Sequence, residues 1–404
     1  MLTPQAWHPR GLRASPRCAT GTIARVRTVL RAALLTAILA AVSIAAAAGP
    51  APTPSGSAWL LTDGRTGEVL AERAADQARA MASLTKMMTA LVALESGDLD
   101  RVVTVVPAAV GIGESSAGLT AGERIPMRDL LKGLMIGSGN DAAIAIAYAV
   151  AGSEAEFVTR MNEKARQMGL THTHFGNPHG LDEAGHESSP RDLLALGRAV
   201  MDDPFLRRLV AQRSVTVPGP GGEGTRRLES ENDLLSIMPA ADGVKTGHTD
   251  GAGYTLVAHA ASAGLGRDLY AVLMGEPDRR TRATDAKALL EWGFSHYARP
   301  VIVRKGQGVV TLDVQGMPGA TVVLAPPAAL AATMRLGTPV QLRVRAPALA
   351  TAPVATGQRL GQVEVLQGED VLARSALVAT AAVGPPGFAD AVMTALGGIG
   401  SVFP

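Results

Sequence analysis

Ser83 and Lys86 stand one helical turn apart, just ahead of the apolar positions Met87, Met88, Leu91 and Leu94, which recur at helical spacing. At that separation both side chains point to one face. A serine hydroxyl is a weak nucleophile until a neighbouring base takes its proton. A lysine can be that base if burial or nearby cations lower its pKa. Lys86 lies among methionines, leucines and small residues, not on a charged face. The pair alone is a weak signal, because a helix cap followed by a surface lysine has the same spacing. Two later elements strengthen it. Ser138-Gly139-Asn140 falls in a Gly-rich turn between two apolar helical stretches, and Lys245-Thr246-Gly247 follows the turn Ala241-Asp242-Gly243 and precedes a strand. A second hydroxyl and an ammonium can relay a proton to a leaving amine. A Lys-Thr pair can hold a terminal carboxylate, and a strand edge can offer a backbone N–H to an oxyanion.

The ordered set Ser-x-x-Lys, Ser-x-Asn, Lys-Thr-Gly matches the three-element signature of penicillin-interactive serine enzymes. The likeness extends into the flanks: Ala82-Ser83-Leu84-Thr85-Lys86-Met87-Met88-Thr89, Gly137-Ser138-Gly139-Asn140-Asp141-Ala142-Ala143, Phe175-Gly176-Asn177-Pro178-His179-Gly180-Leu181-Asp182, Asp242-Gly243-Val244-Lys245-Thr246-Gly247-His248-Thr249, and Leu289-Leu290-Glu291-Trp292-Gly293-Phe294. Over about 57–298 the chain resembles the serine D-alanyl-D-alanine carboxypeptidases of peptidase family S11, the low-molecular-mass penicillin-binding proteins. That resemblance implies an α+β, β-lactamase/transpeptidase-like catalytic domain, an antiparallel sheet with helices on both sides, followed by a small all-β domain. It implies Ser83 as nucleophile, Lys86 as general base and Ser138 as proton relay. It further implies Asn140 as a grip on the substrate backbone and Lys245, Thr246 and Gly247 at the terminal carboxylate. The N–H groups of Ser83 and His248 would form an oxyanion hole. The implied partners are peptidoglycan stem peptides ending in D-Ala-D-Ala and β-lactam antibiotics. No cofactor is expected. One departure stands out: Glu231-Asn232-Asp233-Leu234-Leu235 is acidic where family members often carry a basic or Asn-rich stretch, so its acids either weaken carboxylate binding or are plain surface.

The elements that must position these residues follow from periodicity. Strands are expected at Trp59–Thr62, Glu68–Leu70, Tyr254–Ala260 and Leu269–Met274. Helices are expected at 83–94, 129–136, 141–151, 154–168, 190–201 and 281–292. After Pro300 short alternating runs with Gly or Pro between them predict a β-rich domain over 299–383. Phe388, Val392, Leu396, Ile399 and Phe403 recur at three- and four-residue steps, making 384–404 a candidate amphipathic tail on a membrane, against which stand its glycines and its lack of Lys or Arg.

The first 48 residues read as an export signal. Arginines from Arg10 to Arg31 precede an uncharged run, Ala32–Ala48, which ends in small residues. Cleavage is expected after Ala48; the competing reading is an uncleaved anchor. Residues 49–56 are linker, and Cys18, the single cysteine, falls in the segment to be removed. The expected location is therefore extracytoplasmic, periplasmic or against the outer face of the cytoplasmic membrane. Across 404 residues, 3% aromatics and a net charge of +2 give no basic, aromatic-interleaved stripe, which argues against nucleic-acid binding. His172, His174, His179 and His186 invite a zinc reading, but a loop-packing role is expected and no metal is assigned. The rival functions are a β-lactamase using Glu183, Glu187 or Glu229 to speed deacylation, a D,D-endopeptidase, and a cell-wall-binding pseudoenzyme.

Overall fold

Alternate side chains of one five-stranded sheet feed two separate cores. The computed structural model describes residues 34–42 and 49–387. The sheet joins β1 (Ala58–Asp63), β2 (Val69–Arg73), β3 (Ala241–Thr249), β4 (Gly253–Ser262) and β5 (Arg267–Glu276) in the antiparallel order β2-β1-β5-β4-β3. Leu60, Val257, Val272 and Met274 pack against the helices inserted between β2 and β3. Their neighbours Leu61, Leu256, Leu269, Ala271 and Leu273 point the other way, onto Leu289 and Leu290. Burial on both faces explains why β4 and β5 read as continuous apolar runs and not as alternating ones.

The helices are α1 (Lys86–Glu95), α2 (Met127–Met135), α3 (Asn140–Ala151), α4 (Glu154–Gln167), α5 (Pro190–Asp202), α6 (Pro204–Val210), the short α7 (Leu234–Ile237) and α8 (Arg279–Ser295). Their starts are written locally. Ser153, Ser189 and Asp278 each accept a backbone N–H three residues on, from Glu156, Asp192 and Thr281. Pro190 occupies the first turn of α5, where its missing N–H costs nothing. α8, joined by Leu234 of the short α7, covers the second face of the sheet, while α1 to α6 fill the first.

Two expectations need correction. The helix expected from Ser83 begins at Lys86; Ala82–Thr85 is a single 3-10 turn, because Ala82 takes φ 51 and cannot continue a helix. The third motif does not precede a strand but lies within β3, whose pairing with β4 runs from Ala241 to Thr249. Asp242-Gly243 suggests a turn locally, yet the ladder to β4 overrides it.

The chain then enters a second sheet with its own core of Val303, Leu312, Val322, Leu324, Val344, Val363, Val365 and Leu377. Its main strands are β6 (Val310–Val314), β7 (Thr321–Ala325), β8 (Val340–Pro347), β9 (Arg359–Gln367) and β10 (Asp370–Ala379), in the order β8-β9-β10-β7-β6. Leu34–Val42, part of the expected export signal, pairs antiparallel with the outer edge of β8. The rest of that signal, with Cys18 and the proposed cleavage point after Ala48, and the tail from Phe388 onward lie outside the described residues. Among the described residues, no single helix is long and apolar enough to cross a membrane.

Candidate active site

The 3-10 turn presents Ser83, and α1 begins with Lys86, so the two still face each other: Lys86 Nζ lies 2.8 Å from Ser83 Oγ. Lys86 is fully buried. Its amine also donates to Asn140 Oδ1 at 2.7 Å and to the His179 carbonyl at 2.6 Å. Both partners can only accept. A neutral amine has two N–H bonds and one lone pair. With its two hydrogens committed to Asn140 and His179, the lone pair is left for the Ser83 hydroxyl. Burial is the main force holding the Lys86 pKa well below that of an ordinary lysine, with the positive charge of Lys245 adding to it; Glu114, Asp141 and Glu231 oppose.

Asn140 is the first residue of α3, and its Nδ2 donates to the Gly113 carbonyl at 2.8 Å. Both ends of its amide are therefore used inside the protein. Ser138, in the turn just before α3, takes φ 53. Its hydroxyl meets Lys245 Nζ at 3.0 Å, and that amine also donates to the Thr246 carbonyl at 2.7 Å. Burial lowers Lys245 to about 7, with Arg282 adding to the shift and Glu231 opposing it. The side-chain hydroxyl of buried Thr246 has no hydrogen-bond partner among the described residues.

Close backbone packing holds the parts together. A Cβ on Gly247 would stand 2.8 Å from the Ser83 nitrogen and 2.6 Å from Thr255 Oγ1, so β3 meets the serine turn only because this residue has no side chain. From the other side, a Cβ on Gly180 would come within 2.1 Å of the Ala82 carbonyl oxygen. Ala82, Glu114 and Ser138 are three of the four described non-glycine residues with positive φ. Such conformations cost roughly 1–3 kcal/mol each and persist where surroundings enforce them.

A cleft of about 580 Å³ opens over the site, lined by Ser83, Ser138, Gly247 and His248. Sequence reasoning missed its other walls: Glu114, Tyr254, Arg279 and Arg282. Arg282 is almost wholly buried, donates to the Glu231 carbonyl at 2.9 Å and lies 5.6 Å from the centre of the Tyr254 ring. A charged residue on the sheet-facing side of a helix was the available signal. In the acidic stretch, Asp233 is gripped by Arg279 through two 2.6 Å bonds, and Glu231 faces the cleft.

The histidines take loop positions. His186 meets Thr85 Oγ1 through Nε2 at 2.7 Å and accepts the Gly176 N–H at Nδ1 at 2.9 Å. His179 Nδ1 accepts the Leu181 N–H. His174 faces the Gly185 carbonyl, and His172 meets Thr171. Glu183 accepts from Asn177 and Glu229 from Arg227, and neither these two nor Glu187 lines the cleft.

The family model for D-alanyl-D-alanine carboxypeptidases, Peptidase S11, matches residues 45–278, a span that contains all three motifs. The chain belongs to this family. D-alanyl-D-alanine carboxypeptidase DacD of Salmonella typhimurium is 37% identical over 287 residues, covering 68% of this chain and 72% of that relative. DacF of Bacillus subtilis, also a D-alanyl-D-alanine carboxypeptidase, is 30% identical over 340 residues, covering 81% and 86%. The crystal structure of penicillin binding protein 5 from Haemophilus influenzae aligns with a TM-score of 0.60 at 30% identity, over 83% of this chain and 99% of that one. Membership in this carboxypeptidase family accounts for the order of the motifs and for the helix-flanked antiparallel sheet.

Proposed function

We propose that the protein is an extracytoplasmic serine D,D-carboxypeptidase that removes the terminal D-alanine from peptidoglycan stem pentapeptides and is acylated by β-lactams. The observation that carries this reading is the lone-pair geometry of buried Lys86, 2.8 Å from Ser83 Oγ with its other bonds spent on Asn140 and His179. Lys86 takes the Ser83 proton as Oγ attacks the carbonyl carbon between the two D-alanines. The N–H groups of Ser83 and His248 receive the oxyanion. Ser138, bonded to Lys245, passes a proton to the leaving amine as the C–N bond breaks. Water then hydrolyses the ester, returning the serine proton. Lys245 and Thr246 hold the terminal carboxylate, and Gly247 lets the strand lie against the nucleophile. Asn140 fixes the Lys86 amine, a task added to its expected grip on the substrate backbone. Residues 1–48 act as the export signal, and 384–404 as a membrane-associating tail.

D-Alanine release from a pentapeptide tests this directly. Ser83→Ala should abolish it; release that survives the change would refute the mechanism. A β-lactamase reading needs a base that deacylates fast, and Glu183, Glu187 and Glu229 lie away from the cleft. Penicillin should therefore leave a stable adduct and not be turned over.

A further inference from the structure

A second pocket, of about 190 Å³, opens where the catalytic domain meets the β-rich one, and it shares no residue with the Ser83 cleft. Three arginines line it. Arg65 stands in the turn between β1 and β2, Arg267 begins β5, and Arg299 lies on the connector after α8. Thr333 and Leu372 close it from the second domain. Among the described residues that line it, none is acidic.

The walls are held in place before any ligand arrives. Asp63 is wholly buried and pins the Arg65 turn by accepting the Thr66 N–H at 2.7 Å and the Thr66 hydroxyl at 2.9 Å. The same carboxylate accepts from Arg267 Nη1 at 3.1 Å, and the Arg267 guanidinium lies 4.9 Å from the centre of the Tyr297 ring. The Ala332 N–H donates to the Pro300 carbonyl at 3.3 Å, and the Thr333 hydroxyl donates to the Leu265 carbonyl, so connector, turn and second domain are tied together.

The charges do not cancel. Asp63 neutralises Arg267. Other acids of these turns are already taken, Glu68 by Arg335 and Asp268 by His259. Arg65 and Arg299 have no hydrogen-bond or ion-pair partner among the described residues. Two uncompensated guanidiniums facing one small pocket, beside the apolar Leu265, Ala331 and Leu372, concentrate positive potential there. Guanidinium forks match an oxyanion with several acceptor oxygens. A phosphate group offers such oxygens and up to two negative charges, where a carboxylate offers two oxygens and one charge. The volume admits a small anion and not a peptide or glycan strand.

We propose that this interdomain pocket is a binding site for a phosphate group, gripped by Arg65 and Arg299 with Arg267 as the third guanidinium. The bound anion bridges the catalytic sheet, the connector and the second domain.

Isothermal titration of inorganic phosphate into the mature protein, in chloride at matched ionic strength, tests this. The wild type should bind one phosphate per chain, and Arg65→Gln and Arg299→Gln should each weaken it about tenfold. Thermal unfolding in chloride reports that both variants are folded. Co-sedimentation with phosphatidylglycerol–phosphatidylcholine vesicles, against phosphatidylcholine alone, separates the sources of the phosphate. An increment that phosphatidylglycerol adds and both variants lose assigns it to a lipid headgroup; phosphate binding with equal sedimentation of wild type and variants assigns it to a free anion. The proposal is overturned if the wild type neither binds inorganic phosphate nor shows that lipid increment. It is equally overturned if both variants bind phosphate as tightly as the wild type does, the result expected of an anion seated in the Ser83 cleft.

Discussion

Lys245 Nζ lies 3.0 Å from Ser138 Oγ, so a residue of the edge strand β3 completes a turn that lies 107 positions earlier in the chain. The contact joins the second and third motifs into one proton path. If Ser138 hands the proton to the leaving amine, Ser138→Ala should lower acylation by a peptide by about 10²–10⁴-fold, the usual worth of a positioned proton donor. Stopped-flow acylation measures this; a change under threefold would remove Ser138 from the path.

The pH dependence has two limbs. Lys86 must be neutral to accept the serine proton, and burial holds its pKa well below the ordinary value, so kcat/KM should rise with pH through that depressed pKa. Lys245 must be charged to hold the carboxylate, and it loses its proton at about 7 in the unliganded protein. The rate should therefore fall again on the alkaline side. Lys245→Arg, whose cation does not titrate in this range, should carry the alkaline limb to higher pH while leaving the acid limb in place.

Gly180 supports the nucleophile from below. Gly180→Ala adds a Cβ against the Ala82 carbonyl at 2.1 Å, a backbone atom with no room to move, and at φ 98. The expected cost is about 1–3 kcal/mol of stability, with loss of penicillin labelling as the turn shifts. Thermal unfolding with and without penicillin checks both.

His186 ties the serine turn to the central loop and works only when neutral. Its Nδ1 accepts from Gly176, so its proton sits on Nε2 facing Thr85, whose hydroxyl in turn donates to the Ala82 carbonyl. Burial lowers it from 6.5 to about 4. A base with a depressed folded pKa binds protons more readily when unfolded, so its contribution is complete above about 6.5 and is lost as pH falls towards 4. Tm should drop by roughly 5 °C between pH 7 and 4.5, and His186→Gln should flatten that slope.

Much of this site was legible because its signals are local. Ser83 and Lys86, the Ser138 turn and the Lys245 strand each announce themselves within a few residues, and their order supplies the rest. The buried strands and helices were legible from apolar runs and 3.6-residue spacing. Arg282 and Glu114 were not, since each enters the cleft through contacts with distant partners: Arg282 with the Glu231 carbonyl, Glu114 through a loop pinned by Asn140 and Asp141. The start of β3 was missed because Asp242-Gly243 has turn chemistry, and only its pairing with β4 makes it a strand. The helix start was misplaced because Ala82 gives no hint of its left-handed backbone, which depends on the approach of Gly180 and Gly247.

The most direct test of the central claim is mass spectrometry of the mature protein after incubation with penicillin, intact and after digestion. The proposed mechanism predicts a mass increase of one penicillin per chain, carried by the peptide containing Ser83 and absent from Ser83→Ala. An adduct on any other residue, or one that persists in Ser83→Ala, would contradict it.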